Sequence, residues 1–230
     1  MNTNYNIATR ADADELMLRM SSGTVKDFFK EMQIYRAAIK EVKTKLENLD
    51  DSFQVRYEYN PIHHIETRLK SVPSIIGKLE RMQHDLTIEN MSKYLHDIAG
   101  VRVLCNYFDD METLADMLLS QDDIRLVNRK DYHKHPKENG YRSLHLVIET
   151  PVFLANEKRN VMVEIQIRTI AMDLWASLEH QLRYKNLDGI SVPDELSTRL
   201  YNCSQVLAGI DTEMQNIYDE ILRLGGHKSN

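Results

Sequence analysis

The segment Val161–Arg168 alternates without a break. Val161, Val163, Ile165 and Ile167 fall on one side of an extended chain, and Met162, Glu164, Gln166 and Arg168 fall on the other. Such a strand needs a hydrophobic layer beneath it and holds three polar side chains together above it. Two readings of the polar side fit: the wet face of an edge strand, or one face of a binding site.

The same period recurs nearby. In Ile98–Tyr107, Val101, Val103 and Cys105 share a face. In Tyr141–Thr150, Tyr141, Ser143, His145 and Val147 face one way and Arg142, Leu144, Leu146 and Ile148 the other. Ile124–Asn128 reads as a short strand. Helical spacing governs Thr24–Leu49, a segment starting near Ser71 with Pro73 in its first turn, Thr87–His96, Met111–Leu119, Thr169–Tyr184 and Asp194–Leu224. In Thr169–Tyr184, Ile170, Leu174, Trp175 and Leu178 form the expected apolar face. Strands in the middle and long N- and C-terminal helices predict an α+β fold, one mixed sheet flanked by helices. Residues 1–22 are polar and expected to be poorly ordered.

The 230 residues suffice for one domain with helical extensions. No apolar run is long enough to span a bilayer, and the N-terminus has no basic stretch followed by an apolar core, so the cytoplasm is the expected location. Cys105 and Cys203 form no metal or disulfide pattern and read as small buried hydrophobes. A net charge of −6 disfavours a general nucleic-acid binder. Between Ile124 and His145, however, Arg125, Arg129, Lys130, Lys134, Lys137 and Arg142 face only Asp131 and Glu138. That block suits either a compact anionic ligand or a solvated loop.

Asp97 stands just before one strand and Glu164 inside another. If the strands are neighbours, the two carboxylates can hold Mg²⁺, which takes few protein oxygens and leaves the rest to water and phosphates. Tyr141 can stack on a base, and His145, two pleats away, can donate to a phosphate or ribose; taken alone, such a pair on a strand is more often packing. The preceding loop offers Lys137 and Asn139 as donors, and Gly140 permits a tight turn. Arg68, Lys70, Ser71, Ser74 and Lys78 surround a helix start; this suits a triphosphate, although capping and a solvated basic face is the commoner explanation and the glycines of a Walker A loop are missing. Asp173 is either an ordinary exposed acid or an acceptor for the N–H edge of guanine.

In order, TRLKSVPSIIGKLER, HDIAGVRVLCNY, KDYHKHPKENGYRSLHLVIE and VEIQIRTIAMDLWASLEH resemble the successive motifs of the RelA/SpoT synthetase domain, and the short chain is most similar to the small alarmone synthetases of the RelP kind. The resemblance spans about Asn60–Tyr184. It implies a nucleotidyltransferase-like mixed sheet and transfer of the ATP β,γ-diphosphate to the ribose 3′-OH of GDP or GTP, without hydrolase activity. It implies Asp97 and Glu164 as the magnesium carboxylates, with Glu164 also the general base. Arg68 and Arg102 match the adenine sandwich, and Lys70, Ser74 and Lys78 match ATP phosphate contacts. Tyr141 matches the guanine stack, and Lys130, Lys137, Asn139, His145, Gln166 and Asp173 match acceptor contacts. The implied organisation is a synthetase domain over residues 23–190 and a helical extension over 191–230 that builds a homotetramer, with no obligatory nucleic acid and no membrane. A relative that modifies the tRNA 3′ end is a rival reading, opposed by the acidity and the guanine-stacking motif. A non-catalytic nucleotide sensor is another, opposed by the full set of motif carboxylates and cations.

Overall fold

Alternation becomes strand wherever one side can be buried. The structure is a computed structural model that describes residues 22–184 and 193–224. In chain order it runs α1 (Ser22–Tyr57), β1 (Ile62–Leu69), α2 (Val72–Arg81), α3 (Ile88–Tyr94), β2 (Ala99–Cys105), α4 (Phe108–Leu119), β3 (Arg125–Asp131), β4 (Leu144–Phe153), β5 (Lys158–Thr169), α5 (Ile170–Tyr184) and α6 (Asp194–Leu224). The strands form one sheet in the order β1-β2-β5-β4-β3. β2 and β5 are parallel and the other neighbours antiparallel, which makes the sheet mixed, as expected.

Val101, Val103, Cys105, Leu146, Ile148, Val163, Ile165 and Ile167 point to the buried side. Across them lies α1, whose Phe28, Met32, Ala38, Val42 and Leu46 are buried and which packs on β1, β2, β4 and β5. The buried side of α4, Met111, Leu114, Ala115 and Leu118, packs on β2 and β5. Each such Val, Leu, Ile, Phe or Met side chain contributes about 1.5–3 kcal/mol of burial. Arg159 of β5 grips Glu31 of α1 through two bonds of 2.7 and 2.9 Å, fixing the helix across the sheet.

Four features differ from the sequence reading, one of them Cys203, expected to be buried and exposed on α6. β1 was not anticipated. His63, His64, Glu66 and Arg68 are exposed on this edge strand, so no hydrophobic alternation marks it, and the ladder to β2 from Ile62 to Leu69 makes it a strand. β4 starts at Leu144, not Tyr141. Gly140 turns with φ 89°, and Ser143 is buried with its hydroxyl donating to the Ile167 carbonyl, so Tyr141–Ser143 lead into the strand without belonging to it. Finally, Ile170, Leu174 and Leu178 of α5 are exposed, whereas Trp175 is buried and donates to the Leu200 carbonyl. Apart from Ser22, residues 1–22 lie outside the described residues, as does the segment 185–192 that contains the expected domain boundary.

Candidate active site

With one side of the sheet committed to the core, register alone decides which polar residues meet on the other. Lys130, His145, Gln166, Arg102 and Glu66 are successive partners from β3 to β1. The adjacent row is Asn128, Val147, Glu164, Gly100 and Arg68. Neighbouring strands lie about 4.8 Å apart, so residues far apart in sequence become neighbours. Gly100 leaves space between Glu164 and Arg68; a Cβ there would stand 3.3 Å from the Arg68 carbonyl oxygen.

Asp97 enters from the turn before β2. Lys70 Nζ lies 2.7 Å from its Oδ2 and Lys78 Nζ 2.9 Å from its Oδ1. Burial pushes the Asp97 carboxyl up, but the hydrogen bonds and charges of Lys70 and Lys78 outweigh it and hold the group below the usual carboxylate range. Glu164 behaves likewise. Burial and the charge of Asp97 raise it, while His145, whose Nδ1 is 3.6 Å from Oε1, and the Gln166 amide, 3.0 Å from Oε2, bring it below the usual range. Both groups are therefore carboxylates at neutral pH, and they offer the hard oxygens a divalent cation takes.

Two clefts meet at these carboxylates. One, of about 160 Å³, is lined by Glu66, Arg68, Lys70, Arg102 and Gln166 as well as Asp97 and Glu164. The other, of about 330 Å³, is lined by Lys78, Lys130, Tyr132, Lys137 and His145 as well as the same pair. Arg68, Lys70 and Arg102 thus line one cleft and Lys130, Lys137 and His145 the other, with the carboxylates between them; Gln166, expected on the acceptor side, lines the first, and Lys78, expected on the ATP side, lines the second. In the first, Arg102 is held by Glu66 at 3.0 Å and by Asp173 at 3.5 Å. In the second, Lys137 Nζ lies over the rings of Tyr132 and Tyr141, at 4.7 and 4.8 Å.

The remaining expected residues sit outside the cleft walls. Ser74, at the start of α2, accepts from Ser71 at 2.8 Å. Asn139 accepts from the Tyr141 backbone N–H and donates to Glu179, both at 3.2 Å, so it shapes the loop. Tyr141, under Lys137 of the second cleft, and Asp173, against Arg102 of the first, border the cleft residues and are joined by a residue to which the sequence reading gave no role. Arg168 donates to Asp173 Oδ1 (2.8 Å), to the Tyr141 hydroxyl (2.7 Å) and to Gln166 Oε1 (2.9 Å). The alternation in Val161–Arg168 had already placed it on this face. Glu66 and Tyr132 were also missed. The row through Glu66 runs across β1, which carries no sequence pattern, and Tyr132 enters only through the fold of the loop.

Two clefts lined by lysines and arginines that share a pair of carboxylates suit a transferase that brings two anionic substrates together. The pattern for the region found in RelA/SpoT proteins matches residues 67–188. The chain is 41% identical over 198 residues to the GTP pyrophosphokinase YwaC of Bacillus subtilis (strain 168), covering 86% of this chain and 93% of that protein. It is 38% identical to the GTP pyrophosphokinase YjbM of the same organism, covering 81% and 86%. The crystal structure of small alarmone synthetase 1 from Bacillus subtilis bound to its product pppGpp superimposes with a TM-score of 0.77 at 34% identity, covering 85% of this chain and 98% of that one. The chain belongs to the RelA/SpoT family, and its similarity is to the small alarmone synthetases.

Proposed function

We propose that this chain is a (p)ppGpp synthetase that moves the β,γ-diphosphate of ATP to the ribose 3′-OH of GDP or GTP and releases AMP. The observation that carries the reading is the meeting of two clefts lined by lysines and arginines at Asp97 and Glu164. ATP occupies the cleft of Arg68, Lys70 and Arg102. The planar guanidinium groups of Arg68 and Arg102 flank adenine, and Lys70, Ser74 and Lys78 take the phosphates. The acceptor occupies the other cleft. Its guanine stacks on Tyr141 and displaces Lys137 from the ring, which frees that ammonium for phosphate together with Lys130.

Glu164 accepts the 3′-OH proton, the 3′-oxygen forms a bond to the β-phosphorus, and the bond from that phosphorus to the oxygen of the α-phosphate breaks. His145 and Gln166 hold Glu164 for this task. A Mg²⁺ ion, for which Asp97 and Glu164 fit as ligands, would neutralise charge on the transferring phosphates. The chain's own contribution is positioning and charge compensation. The cytoplasm, where both substrates are found, is the expected compartment, and a homotetramer the expected assembly.

Incubation with ATP, Mg²⁺ and each guanine nucleotide in turn, with product analysis, tests the reading. Glu164→Gln should lower synthesis on the order of 10²-fold or more while ATP binding remains. Synthesis at the wild-type rate would refute the role of Glu164, and AMP release with tRNA but not with GDP would refute the acceptor.

A further inference from the structure

We propose that Arg168 is the positioning residue that makes the acceptor side selective for guanine. It does so by fixing Asp173, Tyr141 and Gln166 through one guanidinium group. The inference rests on the acceptor reading above and adds the source of its base selectivity.

Arg168 is 5% exposed, yet it carries a full charge. It touches neither cleft, so its position calls for partners and not for a ligand. Its two terminal nitrogens make the three bonds to Asp173, Tyr141 and Gln166, and its Nε is buried without a hydrogen-bond partner among the described residues. A planar fork reaches three acceptors at fixed angles, which a single ammonium cannot do.

Each bond sets a different property. On Asp173, Arg168 and Arg102 both approach Oδ1. That directs Oδ2 elsewhere, and among the described residues it receives only a long 3.4 Å contact from Ser177. A carboxylate oxygen only accepts at neutral pH, so it suits the adjacent N1–H and 2-NH₂ donors of guanine. Hypoxanthine offers one of these donors, and adenine presents an acceptor at N1. On Tyr141, the bond from Arg168 and a second contact to His145 Nε2, each 2.7 Å, fix the hydroxyl and with it the ring on which the base lies, and Asn139 fixes its backbone. On Gln166, the bond to Oε1 decides which way the amide faces, so Nε2 points to Glu164. Plane, edge and catalytic neighbour are thus referred to one group.

The test uses the whole protein and measures binding of GDP and inosine diphosphate by calorimetry, KM for ATP and for GDP, and thermal melting. Wild type should prefer GDP. Arg168→Lys keeps the charge and loses the fork; GDP affinity should fall about tenfold or more, the preference over inosine diphosphate should shrink, and KM for ATP, which Arg168 reaches only through Gln166 and the Asp173–Arg102 contact, should change by a smaller factor. Arg168→Gln should be worse on the first two measures. An unchanged GDP preference in Arg168→Lys, or equal losses on the ATP and GDP sides, would overturn the proposal by making Arg168 a fold-stabilising residue only. Tyr141→Phe and Asp173→Asn, alone and combined, test it without touching Arg168. Losses of GDP affinity that are not additive support a shared anchor, and additive losses overturn it. If wild type binds no GDP, the acceptor reading itself fails, a result distinct from binding that persists with unaltered selectivity.

Discussion

Lys70 donates to Asp97 at 2.7 Å through its side chain, and its backbone N–H donates at 2.9 Å to the next residue, Ile98. β1 and the entry to β2 are therefore locked together where ATP phosphates are proposed to bind. Asp97→Asn should remove synthesis by about 10²-fold or more, as expected for losing a preorganised charged group in the site. It should also change the response to acid. The folded Asp97 carboxyl lies below its ordinary value of 3.8, so it adds stability above that pH and loses it as pH falls through the folded value. Urea titrations at pH 7 and below pH 4 should show a larger loss of stability for wild type than for Asp97→Asn. Parallel losses would refute the assignment.

Gly140 and Ser204 make the second link, between the acceptor loop and α6. Gly140 has φ 89°, and a Cβ on it would stand 2.0 Å from Ser204 Oγ. Ser204 is buried and bonds back to the Tyr201 carbonyl, so it has little room to withdraw. Gly140→Ala adds a left-handed backbone cost of about 1–2 kcal/mol to this clash. The loop carrying Lys137, Asn139 and Tyr141 should shift. KM for the acceptor should rise on the order of tenfold while KM for ATP stays close to wild type. Steady-state kinetics with each substrate varied will decide, and equal changes would sink the idea.

What could be read from the sequence follows from what burial does to a pattern. Val161–Arg168 and Ile98–Tyr107 announced themselves because one side of each is in the core, and Asp97 and Glu164 were placed by those strands. β1 was silent, since an edge strand with His63, His64, Glu66 and Arg68 exposed needs only its backbone ladder. The family motifs named Arg102 and Gln166, but the register that aligns them with Lys130, His145 and Glu66 is a tertiary fact. Arg168 was visible as a face and not as a role, because its three partners come from β5, α5 and the loop before β4.

His133, in the turn after β3, stacks on Phe108 of α4 at 5.4 Å. Burial pushes its imidazole below the ordinary value of 6.5; Asp131, Asp211 and Glu112 oppose this and Arg142 assists it. The folded protein therefore binds this proton less well than the unfolded chain. Its stabilising contribution is full above pH 6.5 and is lost as pH falls from there toward the folded value. Asp211, raised chiefly by burial, acts in the opposite direction at lower pH. Between pH 7.5 and 5.5 the melting temperature of wild type should fall more than that of His133→Gln. Curves that stay parallel over this window would contradict the effect.

On α6 the usual order of a helix is reversed. Ser204 and Gln215 face the body and are 4% and 3% exposed, while Ile210, Met214, Ile217 and Ile221 are 50%, 49%, 43% and 60% exposed. Beside it, Ile170, Leu174, Leu178 and Leu182 of α5 are exposed as well. Contiguous apolar faces of this kind mark association surfaces, and another copy of the chain would cover them by symmetry. Ile210→Asp combined with Ile217→Asp changes side chains that the single chain leaves in water, so melting of the isolated fold should be little affected. Each buried isoleucine lost from the assembly removes about 2 kcal/mol, and the charges add a desolvation cost. Wild type should sediment as a tetramer of the 26.9 kDa chain and the double variant as smaller species. A monomeric wild type at micromolar concentration would show that these faces serve another purpose.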